Sequence, residues 1–161
     1  DQHAAHERFL YENLVRSYEQ SQIEIQEFLF PVTVQMTGKE KEQLLERKNE
    51  LKSAGFRVED FGPETVAVHS IPSRADKIDI NAFIFEAAEP YSETGPRNVA
   101  KKLLELCACH SAVRSGDTLS PGEIEELIAC WREGRIPPTC PHGRPITLTL
   151  DRKKLDRMFK R

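Results

Sequence analysis

His3 and Glu7 stand four residues apart near the start of this chain, and Cys140 and His142 flank a single proline near its end. On a helix that four-residue step returns both side chains to one face, so an imidazole and a carboxylate can converge on one ion. Such pairs are also common on solvated helices, so the spacing alone decides nothing. Cys140-Pro141-His142 sets a thiol and an imidazole in a stiff loop, and Gly143 lets the next backbone unit turn sharply. A buried thiol beside a hydrogen-bonding loop histidine is the other reading of that segment. Cys109, in the run Cys107-Ala108-Cys109-His110, offers a further thiolate. Cys107 would point about 200° away around a helix, so it is expected, like Cys130, as a small core residue. His6, one turn from His3, is expected as an exposed neighbour, and His6-Glu7 is not a metalloprotease motif because no second histidine follows at the required spacing. If folding joins the two chain ends, they build a metal site that neither holds alone. Cysteine and histidine favour zinc, whereas aspartate and glutamate favour manganese or magnesium.

The elements that must position these groups follow from periodicity. His3 to Glu19 reads as a helix with Phe9, Leu10, Leu14 and Val15 on one stripe and Asp1 as its cap. Ile23 to Met36 reads as an extended segment or edge strand whose pairing Pro31 limits. Thr37 to Ala54 reads as one charged surface helix ending at Gly55. Phe56 to Ile71 reads as two strands about the Gly62-Pro63-Glu64 turn. Helices are expected over Ile78 to Glu89, Arg97 to Ser115 and Ser120 to Gly134, with a breaker-rich loop from Pro90 to Pro96. Ile146 to Leu150 alternates as a strand, and Asp151 opens a terminal helix. The fold class expected is mixed α/β (α+β) and two-lobed: a core lobe from residues 1–20 and 97–161, and an inserted subdomain from residues 21–96.

Composition bounds the rest. The chain has 161 residues, 39% hydrophobic and 30% charged, with a net charge of -3. No apolar run approaches the roughly 20 residues that span a bilayer, which excludes an ordinary membrane-spanning helix. The charge excludes tight nucleic-acid binding by electrostatics alone. Arg152, Lys153, Lys154, Arg157, Lys160 and Arg161 form the one basic concentration, either a solvated helix face or a phosphate-facing patch. Four unevenly spaced cysteines fit metal ligation in a reducing, intracellular compartment better than a disulfide framework. The chain opens at Asp1 without a signal-peptide pattern and reads as part of something longer. No Gly-rich phosphate loop is present.

Four short motifs then occur in order: Asp1-Gln-His-Ala-x-x-Glu7-x-x-x-x-Glu12, Ala108-Cys109-His110-x-Ala112-Val113-Arg114, Cys140-Pro-His-Gly-Arg-Pro145 and Phe159-Lys160-Arg161. Together they resemble the C-terminal domain of the MutL mismatch-repair family, bacterial type. The resemblance implies a metal-dependent endonuclease that nicks duplex DNA, with a regulatory zinc and a catalytic Mn²⁺ or Mg²⁺, a homodimer, and a cytoplasmic, nucleoid-associated setting. By position, Asp1, Glu7 and Glu12 would be catalytic, and His3, Glu7, Cys109, Cys140 and His142 would be metal ligands. Arg144, Phe159 and Arg161 would support the site or contact DNA. The family also carries an ATPase domain and a strand ahead of the first motif, and it meets the mismatch-recognition protein MutS through the full-length protein.

Gln26-Glu27-Phe28-Leu29-Phe30-Pro31 resembles a sliding-clamp-binding motif, with Gln26, Phe28, Leu29, Phe30 and Pro31 as contacts. On the bare sequence its apolar flanks Ile23, Ile25 and Val32 favour a buried edge strand, and the acidic charge of the chain tilts the reading back towards docking. A weak DNA binder gains a large effective concentration when tethered to a ring on DNA. A non-enzymatic, zinc-stabilised module for dimerisation and clamp docking is the alternative to the nuclease.

Overall fold

The structure, a computed structural model, describes residues 1–91, 95–114 and 116–160. Part of the expected breaker-rich loop, the expected helix end Ser115, and Arg161 lie outside the described residues. The protein is a mixed α/β chain, as its periodicities require. α1 (Gln2–Glu19) is capped by Asp1, whose carboxylate accepts from the Ala4 N–H at 3.0 Å. It buries Ala4, Phe9, Leu10 and Leu14 against α5 (Pro96–Ser111).

Between these helices β1 (Ile25–Gln35), β2 (Arg57–Asp60) and β3 (Thr65–Pro72) form an antiparallel sheet in the order β1-β3-β2. β3 is central and nearly all buried, and β1 is an edge. Pro31 lies in the interruption of the β1–β3 ladder. Four β1 residues, Phe28 to Pro31, lie opposite the single residue His69 of β3. A prolyl nitrogen donates no ladder hydrogen bond, which suits it to such a bulge. Phe28 turns inward against the core, while Leu29 and Phe30 stand out at 90% and 80% exposure. The buried-strand reading therefore fails at these two residues, because the bulge lifts them off the sheet.

The single helix expected over 37–54 is two helices, α2 (Gly38–Leu45) and α3 (Lys48–Ser53). Thr37 and Glu40 make a reciprocal capping box at the start. The break falls at Arg47, whose guanidinium donates to the Ala87 carbonyl at 2.6 Å and lies 4.3 Å over the Tyr91 ring. It thereby caps α4 (Ile80–Ala88) at its carbonyl end. Gly55 follows α3 at φ 93°, and a Cβ there would meet Ile23 Cγ2 at 2.9 Å. Phe56 stacks on Phe83 of α4 at 4.2 Å, joining the sheet to the helices in one apolar cluster that also contains Leu10, Leu103 and Leu104.

α6 (Pro121–Arg132) starts at Ser120 with a capping box to Glu123, and α7 (Arg152–Met158) starts at Asp151. Between them the expected strand Ile146–Leu150 does not form. Only a bridge between Thr139 and Pro145 is present, Ile146 is buried, and Leu148 and Leu150 are exposed. Alternation supplies a face but not a partner, and no strand pairs with this segment among the described residues. No helix of the described residues is long and apolar enough to cross a membrane.

Candidate metal centre

Glu7 is fully buried on α1, and Cys140 is fully buried in the loop after α6. Their ligand atoms and one ring nitrogen of His142 lie within 4.8 Å of one another, the one such group among the described residues. The two chain ends thus meet where the sequence reading joined them. The loop is pinned by the Cys140 N–H donating to Arg144 O at 2.8 Å and by the Gly143 N–H donating to Cys140 O at 2.9 Å. Gly143 takes φ 81°, a left-handed value that glycine adopts without a Cβ clash.

Neither Glu7 oxygen has a hydrogen-bond partner. His142 Nδ1 lies 2.9 Å from Oε1, close enough for an ion pair but out of line for a hydrogen bond, and Arg144 Nη2 is 3.6 Å from Oε2. A buried carboxylate left in this condition costs several kcal/mol unless compensated, and a divalent cation is the compensation that a neighbouring thiol and imidazole also accept. A carboxylate, a thiolate and an imidazole are a donor set suited to zinc. The residues present therefore fit a metal ion.

Cys109 of α5 faces the same place. Burial, then the charge of Glu7, pushes its thiol up to about 11, so without a cation it stays protonated. Arg144 is held above the ordinary guanidinium range, first by its contact with Cys140. Cys107 and Cys130 are buried, as expected of core residues. His3 is not in the converging group. Its Nδ1 lies 2.9 Å from the Val113 carbonyl, and since a carbonyl only accepts, that nitrogen is the donor of the pair.

His6 is buried rather than exposed, and its Nδ1 accepts from the Val113 N–H at 3.2 Å. Burial lowers its pKa below the ordinary histidine value. The two histidines thus hold both backbone groups of Val113, and α5 ends at Ser111 instead of running to Ser115. Asp1 serves as a helix cap, and Glu12 pairs with Arg8 at 3.0 Å. Phe159 is an exposed ring after α7.

Two contributors were missed by sequence reasoning. Glu105 Oε1 lies 3.7 Å from His142 Nε2 and is held by Lys102 Nζ at 2.8 Å. It stands four residues before Cys109 on α5, a spacing that could have revealed it. Arg8 reaches the Cys140 loop itself, and its only sequence signal was the four-residue step to Glu12.

Fold and site together define a mixed α/β domain in which a buried carboxylate and a buried thiol meet an exposed imidazole in a group able to hold a divalent cation. Residues 1–119 match the family described as MutL C terminal dimerisation domain, and the chain belongs to that family. It is 37% identical to the DNA mismatch repair protein MutL of Dictyoglomus turgidum and 39% identical to that of Dictyoglomus thermophilum, in each case over all of this chain. It is 37% identical to the protein of the same name from Geobacter sulfurreducens, again over all of this chain. The chain spans 29%, 28% and 27% of those three relatives.

Proposed function

We propose that this chain is the C-terminal part of a DNA mismatch-repair MutL protein and a metal-dependent endonuclease that nicks duplex DNA as a homodimer. The observation that carries the reading is the buried, unpartnered Glu7 carboxylate facing Cys140 and His142. Glu7, Cys140 and His142 would hold zinc, with Cys109 and His3 completing the set. A looser Mn²⁺ or Mg²⁺ would share Glu7. Such ions supply an activated water and offset the charge that builds on phosphorus during phosphodiester hydrolysis. The protein's own part is to bury the carboxylate, to fix the loop that carries the thiol and imidazole, and to place Arg144 beside both.

The net charge of -3 implies weak intrinsic DNA binding, and the exposed Leu29–Phe30 tip supports docking on a sliding clamp. Arg144, with Phe159 and Arg161, would support the site or contact DNA. MutS would be met through the full-length protein, in a bacterial cytoplasm at the nucleoid. The division into a lobe of residues 1–20 with 97–161 and an insert of residues 21–96 belongs to the same proposal.

The test is relaxation of supercoiled DNA with Mn²⁺ and loaded clamp, comparing the native sequence with Asp1→Asn and Glu7→Lys. Metal-dependent nicking lost in both variants supports the reading. Equal nicking in all three defeats it. A second reading, a zinc-stabilised dimerisation and docking module without nuclease activity, is favoured by the engagement of Asp1 as a cap and Glu12 with Arg8. Absence of nicking with zinc bound and clamp docking intact would select it.

A further inference from the structure

Arg8 follows Glu7 on α1, and its guanidinium uses all three nitrogens. Nε donates to the Thr139 carbonyl at 2.7 Å, Nη2 donates to the Cys140 carbonyl at 3.3 Å, and Nη1 donates to Glu12 Oε1 at 3.0 Å. Its side chain is only 14% exposed, and its Cζ lies 5.7 Å from the Tyr11 ring centroid. The two carbonyls it grips open the loop that Thr139 and Pro145 close by their bridge. Glu12 balances the charge and orients the planar fork. Because Glu7 and Arg8 are consecutive, fixing Arg8 on this loop also fixes how far Glu7 stands from Cys140 and His142.

We propose that Arg8 and Glu12 form a positioning brace that sets the separation of Glu7 from Cys140 and His142, so that metal affinity depends on two side chains that do not touch the ion. This rests on the metal-centre reading above. Glu12 then acts through Arg8 and not on DNA. Lysine cannot replace Arg8, because a point charge does not span two carbonyls and a carboxylate in one plane.

The experiment is titration of the 161-residue chain with Co²⁺, followed by the thiolate-to-cobalt absorption band and by zinc competition. The variants are Arg8→Met, Arg8→Lys, Glu12→Gln and Arg8→Met with Glu12→Gln. Melting curves in chelator monitor folding. Outer partners of metal ligands typically contribute about ten- to a hundredfold in affinity, and Arg8→Met is expected to lose that much together with thiolate band intensity. Arg8→Lys should recover only part of it. Glu12→Gln should lose less, and the double variant should bind as Arg8→Met does. If Arg8→Met fails to fold, Glu12→Gln decides alone.

Cobalt binding by the native chain with unchanged affinity and spectrum in the folded single variants overturns the brace and leaves the metal centre standing. Additive losses in the double variant also overturn it, since Glu12 would then act independently. No cobalt binding by the native chain refutes the metal centre, and the brace with it.

Discussion

Glu7→Met is expected to shift the melting temperature in opposite directions with and without metal. In chelator the native chain buries a carboxylate whose two oxygens have no hydrogen-bond partner and whose ion-pair neighbours are the exposed His142 at 2.9 Å and Arg144 at 3.6 Å. Replacing a buried ionic cluster by apolar side chains of similar volume is often stabilising by about 1–4 kcal/mol, and Glu7 is the buried member here, since the side chains of Arg144 and His142 reach solvent and are not left as buried charges by its removal. Taking about 2 kcal/mol, and about 2–4 °C per kcal/mol for a chain of this size, the variant should melt about 4–8 °C higher than the native protein. With zinc at about 1,000 times its dissociation constant, the native protein gains about 4 kcal/mol from binding. That corresponds to a rise of about 8–16 °C, which the variant forgoes, so the order reverses. The assay is thermal unfolding followed by circular dichroism, in chelator and in zinc. A lower melting temperature for Glu7→Met in chelator, or equal stabilisation of both proteins by zinc, would refute the argument that Glu7 is kept for a cation at the expense of stability.

Leu29→Ala with Phe30→Ala should leave the melting temperature within about 2–4 °C, since exposed side chains contribute about 0.5 kcal/mol or less each, while abolishing clamp binding in a pull-down; a larger drop in stability would make them core residues. Glu123 is held down to about 2, mainly by Lys77 at 2.9 Å. A carboxylate so depressed stabilises the fold above its unfolded pKa of about 4.3, and the gain is lost as pH falls from there towards 2. Screening at this exposed pair limits it to about 1 kcal/mol or less. Glu123→Gln, which can keep the capping box with Ser120, should therefore melt lower than native at pH 7 and equally at pH 2, and a gap that persists at pH 2 would exclude the ion pair as its cause. Gly55→Ala should destabilise by about 1–3 kcal/mol in chemical denaturation, because it adds a Cβ at positive φ within 2.9 Å of Ile23; a neutral result would mean that this turn relaxes.

Local chemistry was legible in the sequence. Asp1, Ser120 and Asp151 cap the helices they were expected to open, Gly55 closes α3, and Pro31 lies in the interruption of the β1–β3 ladder. Of the site, Glu7 and the Cys140–His142 pair were readable because each belongs to a short rigid pattern. What escaped was set by contacts between distant parts of the chain. Arg8 meets carbonyls more than 130 residues away, and no local spacing encodes that. The end of α5 was misjudged because helical periodicity continues in sequence past Ser111, while His3 and His6 on another helix hold Val113 out of helical geometry. The single helix expected over 37–54 divides because Arg47 is drawn to α4. Alternation at Ile146 to Leu150 was real, but a strand also needs a neighbour.

The bulge in β1 separates two kinds of sequence constraint. On either side of it, residues such as Val34 pair with β3 and bury in the core, so their identities answer to packing. At its tip Leu29 and Phe30 are exposed, while Phe28 before it packs on the core and Val32 after it resumes pairing with Val68. Substitutions at the two tip positions are therefore nearly free of folding cost, because both side chains stand in solvent. Glu7 is in the opposite position: it is buried beside Cys140 and His142, so a substitution there alters the packing of its helix and the one group of converging donors among the described residues. One chain thus holds one place where sequence can vary at little folding cost and one where burial ties the side chain down.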